Sequence, residues 1–263
     1  MTKTYLKEYF SEKLRWGWNL EAQITFDFLC SVAESCKGGV VLDAGSGHQR
    51  YKPFFHDCLY IAQEHPEAGK INKGITEYDI LCDVKSIPLR DESVDAVLST
   101  SSFEHFEYPQ EFVNEAYRVL KPGGSLWIHV PFVYHEHEVP YHFQHPTRFG
   151  LERHFRHAGF HEFWVKPVCS STCTGIFALK YSINEDFKRI KQGSMKLALA
   201  KLAIAFTNKY LHIIERIFDQ GPFLDTTMPV GWISCATKKG ILSTNSVKYD
   251  DPKKFILSHR IGA

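Results

Sequence analysis

The chain has 263 residues, of which 44% are hydrophobic and 23% are charged, and its formal net charge is +1. Such a composition is typical of a globular protein with one sizeable core. The sequence has no basic stripe, which argues against a nucleic-acid partner, and no acidic tail that would indicate a basic partner. Seven cysteines without a C-x-x-C pair, and no signal-type apolar stretch in residues 1–15, predict a reducing, cytoplasmic environment without disulfides.

Helical and strand patterns alternate along the chain. Residues 5–36 carry apolar positions at helical spacing, and Gly38-Gly39 ends that run. Short apolar runs predict strands at 40–42, 59–62, 94–99, 126–130, 163–165 and 232–236. Helices are predicted at 109–120, ended by the turn 121–124, and at 147–157, ended by Gly159.

This alternation predicts a doubly wound α/β fold with a mainly parallel sheet that helices cover on both faces. Ligands bind at the carboxyl ends of the strands in such sheets. We therefore expect the chemistry just after residues 42, 62, 82, 99 and 130.

The segment 195–218 is rich in Leu, Ala and Ile, but five charged residues interrupt it. A membrane span needs about 20 nearly uncharged apolar residues, so a span is excluded and an amphipathic helix is predicted. Two roles stay open for this helix. It packs on its own core or on a second subunit, as in a homodimer. Alternatively, it lies on a membrane surface or lines an apolar substrate pocket.

A glycine-containing loop follows the first predicted strand. Gly45 and Gly47 come just after Asp43, and glycine lets the backbone turn tightly and lets a ligand approach the main chain. A dinucleotide site would need a third glycine where Arg50 stands. The loop favours a ligand without a pyrophosphate, such as S-adenosylmethionine, while a purely structural turn remains the alternative.

The motifs between residues 40 and 130 resemble, in order, those of class I S-adenosylmethionine-dependent methyltransferases. Similar to that family are the runs 41–47, 87–97, 102–106 and 118–124. The resemblance implies a Rossmann-like, seven-stranded sheet with an extra helical segment near the C-terminus. It also implies that Glu64 accepts both ribose hydroxyls and that Asp83 accepts the adenine amino group. The cofactor-binding residues expected from it are Asp43, Gly45, Ser46, Gly47, Glu64, Asp83, Val84 and Ser99.

The resemblance predicts one methyltransferase domain over residues 1–263. Its parts are N-terminal helices (1–38), a cofactor-binding core (39–168), a helical insertion or cap (169–228) and a last strand (229–240). Residues 130–160 are similar to a subgroup associated with bacterial polysaccharide and secondary-metabolite pathways. That subgroup usually has Asp and Arg where this chain has His142 and His145, so its substrates are not transferred.

Methyl transfer from a sulfonium is an in-line displacement, in which the enzyme mainly aligns the nucleophile and excludes water. A hydroxyl acceptor also needs a general base, and histidine suits neutral pH. Histidines and acids lie after the fourth and fifth predicted strands, so this is where we expect catalysis. The predicted catalytic residues are His137, His105, Glu104 and His142.

Three hypotheses compete for the cluster formed by His135, His137, His142 and His145. In the first, the histidines are inert, hydrogen-bonded loop residues. In the second, one of them, with His137 preferred, is the general base. In the third, a metal site is built from His135, His137, His142 or His145 with Glu136 or Glu138. A divalent metal is not favoured, although metal-assisted transfer would suit vicinal diols or catechols.

We expect O-methylation of a small molecule in a biosynthetic pathway, with a sugar or natural product as acceptor. The alternatives are an N-, C- or lipid methyltransferase, which brings in peripheral membrane contact, and a non-catalytic cofactor-binding protein.

Overall fold

The computed structural model describes residues 2–12, 20–67, 77–188 and 228–240, with seven single positions between 207 and 218. A seven-stranded sheet lies at its centre, as predicted. Its strands are β1 (Val40–Ala44), β2 (Leu59–Glu64), β3 (Ile80–Leu81), β4 (Val94–Thr100), β5 (Leu120–Pro131), β6 (Glu162–Val168) and β7 (Gly231–Thr237). The spatial order is β3-β2-β1-β4-β5-β7-β6, in which only β7 runs antiparallel to its neighbours.

Helices cover both faces of this sheet. They are α1 (Lys3–Glu12), α2 (Leu20–Ser35), α3 (Pro109–Val119), α4 (Arg148–Ala158) and α5 (Ser171–Lys188). Successive residues of β1 point to opposite faces: Val41 packs into the core on the side of α1 and α2, and Leu42 packs into the core on the side of α3 and α4. The doubly wound α/β prediction is therefore confirmed.

The boundary between α3 and β5 differs from the prediction. Residues 121–124 were expected to form a turn between helix and strand, but they belong to β5. The pairing shifts register here, because Val94 pairs with Leu120 whereas Ala96 already pairs with Ser125. Gly124 fits this bulge because an added Cβ would lie 2.9 Å from the carbonyl oxygen of Asp95.

The predicted bounds of α4 hold to one residue, since the cap residues are readable in the sequence. The hydroxyl of Thr147 accepts the N–H of Gly150 at 3.1 Å, and Gly159 ends the helix with a φ of +102°. In the predicted helical region 5–36, residues 13–19 lie outside the described part, and so does most of the predicted helix 195–218.

Within the described ranges, every helix is too short or too polar to cross a bilayer. All seven cysteines are free, as expected, although the Sγ atoms of Cys36 and Cys58 lie 3.6 Å apart.

Candidate active site

The loop after β1 is fixed by backbone hydrogen bonds to β2. The N–H groups of Gly45 and Ser46 donate to the carbonyl oxygen of Gln63 at 3.1 and 2.9 Å. Gly45 has a φ of +73°, and a Cβ at this position would lie 2.5 Å from the Cβ of Ser102. Only glycine satisfies both constraints, so the loop can pass close beneath a ligand.

Glu64 closes the loop from the end of β2. Its carboxylate accepts the N–H of Gly47 at 2.7 Å and the N–H of His65 at 2.9 Å. Burial raises the pKa of Glu64, and these two hydrogen bonds act in the opposite direction. Each carboxylate oxygen can accept a second hydrogen bond, so the side chain can bind two ribose hydroxyls while it holds the loop.

Asp43 and Ser99 lie beneath the loop, behind the wall of the cavity. Asp43 is 1% exposed and shares a hydrogen bond with the hydroxyl of Tyr60. Burial raises the pKa of Asp43 to about 7. The hydroxyl of Ser99 lies 2.7 Å from that of Ser102, which donates to the carbonyl oxygen of Ala44. Both residues support the loop from below, and direct contact with the cofactor stays a prediction for them.

Asp83 and Val84 lie at the far end of the cavity, beyond β3. The Asp83 carboxylate is 42% exposed and lies 3.2 Å from the Nζ of Lys85. One of its oxygens also accepts the N–H of Lys85 at 3.1 Å. Asp83 is therefore held in place and accessible from the cavity, where it can accept a hydrogen bond from an adenine amino group.

One continuous cavity of about 950 Å³ connects these residues to the histidine cluster. Its floor is the loop Gly45–Gly47, and α1 and α2 contribute Phe10 and Thr25 to its wall. The volume lies near the upper end of the range for small-molecule sites. The cavity therefore has room for a nucleoside cofactor and a second small molecule.

Three of the four predicted catalytic side chains meet at the wall of this cavity. Glu104 and His105 belong to a 3-10 turn after β4, and His137 comes from the segment after β5. The Oε1 atom of Glu104 lies 3.9 Å from the Nε2 of His105 and 3.7 Å from the Nε2 of His137. Glu104 is fully buried, and burial raises its pKa to about 8.

The fourth predicted catalytic residue, His142, lies behind His137. Its Nδ1 atom accepts the backbone N–H of His137 at 3.1 Å, and it does not line the cavity. Burial, helped by the neighbouring histidines, lowers the pKa of His142 to about 4. His142 therefore contacts the backbone of His137 and not the cavity, and a catalytic role for it stays a prediction.

The remaining histidines of the predicted cluster have different surroundings. His135 stacks on the ring of Tyr181 at 4.0 Å, and His145 packs against His142 with the ring centroids 4.6 Å apart. Glu136 is exposed, whereas Glu138 lines the cavity with Oε2 3.6 Å from the Nε2 of His105. Among the residues that the structure describes, the group that could hold a metal is Glu104, His105 and His137, whose ligand atoms lie within 4.8 Å of one another. This group shares only His137 with the metal set considered from the sequence.

His129 is a cavity residue that the sequence analysis did not single out. It lies in β5, it is 7% exposed, and burial lowers its pKa to about 4. Its imidazole is therefore neutral at physiological pH. The sequence does mark His129 as a candidate site residue, because it is a polar side chain within the apolar run Leu126–Val130.

Comparison with known proteins identifies the central part of the chain. Residues 42–128 match the family described as "Methyltransferase domain". A probable S-adenosylmethionine-dependent methyltransferase of Mycolicibacterium smegmatis is 31% identical over 105 residues, 38% of this chain and 41% of that protein. A 25S rRNA adenine N1-methyltransferase of Schizosaccharomyces pombe is 40% identical over 52 residues, 20% of this chain and 16% of that protein. The chain thus spans less than half the length of these relatives.

Among solved structures, an S-adenosylmethionine-dependent methyltransferase from Archaeoglobus fulgidus has a similar fold. The TM-score is 0.51 at 16% identity, with 89% of this chain and 99% of that chain covered. The strand order, the cofactor loop and the matched family agree with one another. Residues 42–128 therefore belong to the class I S-adenosylmethionine-dependent methyltransferase family, and S-adenosylmethionine is the cofactor of this domain.

Proposed function

We propose that the protein transfers the methyl group of S-adenosylmethionine to a hydroxyl oxygen of a small molecule, such as a sugar or a natural product. The observation that carries the proposal is the single cavity that joins the cofactor loop to His105 and His137. An acceptor in the histidine-lined part would lie directly beside the cofactor.

The surrounding groups support one orientation of the cofactor. Glu64 and Asp83 offer acceptor oxygens to the ribose and the adenine, and the methionine part would follow the loop Gly45–Gly47. The sulfonium methyl group would then face the turn that carries Glu104, because Ser102 of the same segment contacts the loop. Such alignment of donor and acceptor is the main contribution to a displacement reaction.

The two cavity histidines are suited to accept a hydroxyl proton. The Nδ1 atom of His105 lies 2.7 Å from the carbonyl oxygen of Tyr141, and the Nδ1 atom of His137 lies 3.1 Å from the carbonyl oxygen of His135. Because each carbonyl can only accept, each Nδ1 carries the proton and each Nε2 has a free lone pair. Burial lowers the pKa of His105, which keeps its imidazole neutral at pH 7.

The composition supports the remaining parts of the proposal. A net charge of +1 gives no general attraction for nucleic acid, and seven free thiols suit a cytoplasmic protein. We propose a cytoplasmic enzyme of a biosynthetic pathway that acts without a nucleic-acid partner. A homodimer and peripheral membrane contact both depend on residues 195–218, most of which lie outside the described part of the chain.

The test has two stages. Calorimetry should first show binding of S-adenosylhomocysteine, and its absence would refute the proposal. Methyl transfer from labelled S-adenosylmethionine is then measured with panels of polyols and phenols, amines, quinones, lipids and RNA. We expect transfer to hydroxyl acceptors. Transfer only to the compounds of another panel would show that the acceptor is of that class and not a hydroxyl compound. Tight binding without any turnover would support a non-catalytic binding protein.

The general base is tested on the acceptor found. His137→Gln should lower kcat by about 10²–10⁴-fold, since this is the usual contribution of a general base. His161→Gln is the matched control, because His161 is exposed and lies outside the cavity. Unchanged turnover in the His137 variant would leave alignment alone as the source of catalysis.

A further inference from the structure

The side chains of Glu104, His105 and His137 form a set of one oxygen and two nitrogen atoms that converge on one point of the cavity wall. Their ligand atoms all lie within 4.8 Å of one another. They come from two segments that a backbone hydrogen bond joins: the N–H of Phe143 donates to the carbonyl oxygen of Glu104 at 3.0 Å. The fold therefore brings His137 to the sequence neighbours Glu104 and His105.

Both histidines are prepared for coordination through Nε2. Histidines that bind metals usually donate the other ring N–H to a carbonyl or a carboxylate, which fixes the tautomer and the ring orientation. His105 makes this contact to Tyr141 at 2.7 Å, and His137 makes it to the carbonyl oxygen of His135. The two Nε2 lone pairs are consequently the free ones, and both face the same carboxylate.

The burial of Glu104 is a second and independent indication of a bound cation. The residue is 0% exposed, and neither carboxylate oxygen accepts a hydrogen bond from another residue that the structure describes. An isolated buried carboxylate is costly unless it is paired, protonated or bound to a cation. The nearest nitrogen atoms are the Nε2 of His137 and of His105, which lie 3.7 and 3.9 Å from Oε1 and are too distant for a hydrogen bond. A cation between the three groups would satisfy all of them.

The spacing is close to that of a metal site. Ligands at about 2.1 Å from a tetrahedral ion lie about 3.4 Å apart. Glu104 Oε1 lies 3.7 Å from the Nε2 of His137 and 3.9 Å from that of His105, and the three ligand atoms lie within 4.8 Å of one another, so side-chain movements would have to draw them closer around an ion. Two imidazoles and one carboxylate favour a transition metal over Mg²⁺ or Ca²⁺.

We propose that Glu104, His105 and His137 bind one divalent transition-metal ion whose remaining coordination positions face the cavity. Three protein ligands leave positions open for substrate, as in catalytic metal sites generally. Resting on the proposed function, the acceptor is then a molecule with two adjacent oxygens that chelate the ion, such as a vicinal diol or a catechol.

The ion changes the role of the histidines from base to ligand. A hydroxyl bound to the metal is more acidic than a free one, and its proton passes to Glu138, whose carboxylate lines the cavity. The lone pair of the resulting oxygen forms the O–CH₃ bond. The S–CH₃ bond breaks, and its electron pair stays on sulfur, which yields neutral S-adenosylhomocysteine.

The site is tested with Co²⁺ alone, on untagged full-length protein that has been treated with a chelator and dialysed. We expect one Co²⁺ per chain, with the visible absorption of a coordinated ion, and displacement by Zn²⁺. Glu104→Gln and His137→Gln should each weaken binding at least about tenfold. His161→Gln should bind as the wild type does. Circular dichroism of each variant confirms that it is folded.

Absence of a Co²⁺ spectrum, or equal affinity in all the folded variants, would overturn the metal site. Different results of these experiments would refute the metal site and the proposed function. If methyl transfer continues unchanged in the chelator-treated protein, the metal proposal is refuted and the methyltransferase stands. If Co²⁺ binds as described but S-adenosylhomocysteine does not, the metal site stands and the proposed function is refuted.

Discussion

Asp43→Asn should make the free energy of unfolding less sensitive to a rise in pH from 5 to 7. Asp43 is 1% exposed, and burial raises its pKa from 3.8 to about 7, because the charged carboxylate loses its hydration. The native state therefore holds a proton that the unfolded state has already released. The contribution of Asp43 to the free energy of unfolding is therefore largest below pH 3.8. It falls as the pH rises to about 7 and stays reduced above that pH.

The magnitude follows from the two pKa values. Each pKa difference of 1 corresponds to about 1.4 kcal/mol, so ionisation of buried Asp43 costs about 4 kcal/mol over the whole range. Between pH 5 and pH 7 the wild type should lose about 2 kcal/mol relative to Asp43→Asn. The amide keeps an oxygen that can accept the Tyr60 hydroxyl, so the substitution removes the charge with little change in shape.

Urea unfolding at pH 5, 6, 7 and 8, without cofactor, measures this difference. Other titrating groups are common to both proteins and cancel in the comparison. Tyr60→Phe should extend the decline to higher pH, since the Tyr60 hydroxyl lowers the pKa of Asp43. Asp57→Asn is the control, because that carboxylate is 52% exposed. A difference between wild type and Asp43→Asn that does not change with pH would refute the reasoning.

Three further predictions concern the same cavity. Glu64→Gln should weaken binding of S-adenosylhomocysteine at least about tenfold in calorimetry, since hydrogen bonds to a charged group contribute about 1.5–3 kcal/mol; unchanged affinity would contradict the role of Glu64. Gly45→Ala should lower the melting temperature more than Gly47→Ala. Both positions have positive φ, but only the new Cβ at 45 would meet Ser102, at 2.5 Å; equal losses would count against this contact. As the pH falls from 6.5 to 4, the wild type should lose up to about 3 kcal/mol relative to His129→Gln, because burial lowers the pKa of His129 to about 4 and the unfolded chain takes up the proton first; parallel urea curves would exclude this.

Local patterns predicted the parts of the fold that local forces determine. The bounds of α4 follow from two residues. The side chain of Thr147 caps the start of the helix, and the positive φ of Gly159 ends it, whatever packs against the helix. The start of β5 could not be predicted in this way. Its bulge exists because Leu120 pairs with Val94, a partner 26 residues away, while Pro122 and Gly123 look like a turn when taken alone.

The candidate site shows the same division. The Gly45–Gly47 loop was predicted, since glycine spacing and a preceding strand are enough to indicate a ligand turn. Glu104 and His137 were both predicted as catalytic residues, but the direct approach of their side chains was not, because it depends on how the segment after β5 folds back onto the turn after β4. The ring of His137 also lies nearer to that of His142, at 4.4 Å, than to that of His135, at 5.7 Å, although His135 is closer along the chain.

The position of β7 has a consequence for biosynthesis. This strand comes last along the described chain, yet it lies inside the sheet, where seven residue pairs join it to β5 and seven join it to β6. Until residues 231–237 have left the ribosome, β6 has no partner strand and β5 has an open edge. A nascent or truncated chain would therefore expose two strand edges that favour aggregation. Completion of the sheet, and with it protection from misassembly, must wait for the end of translation of this segment.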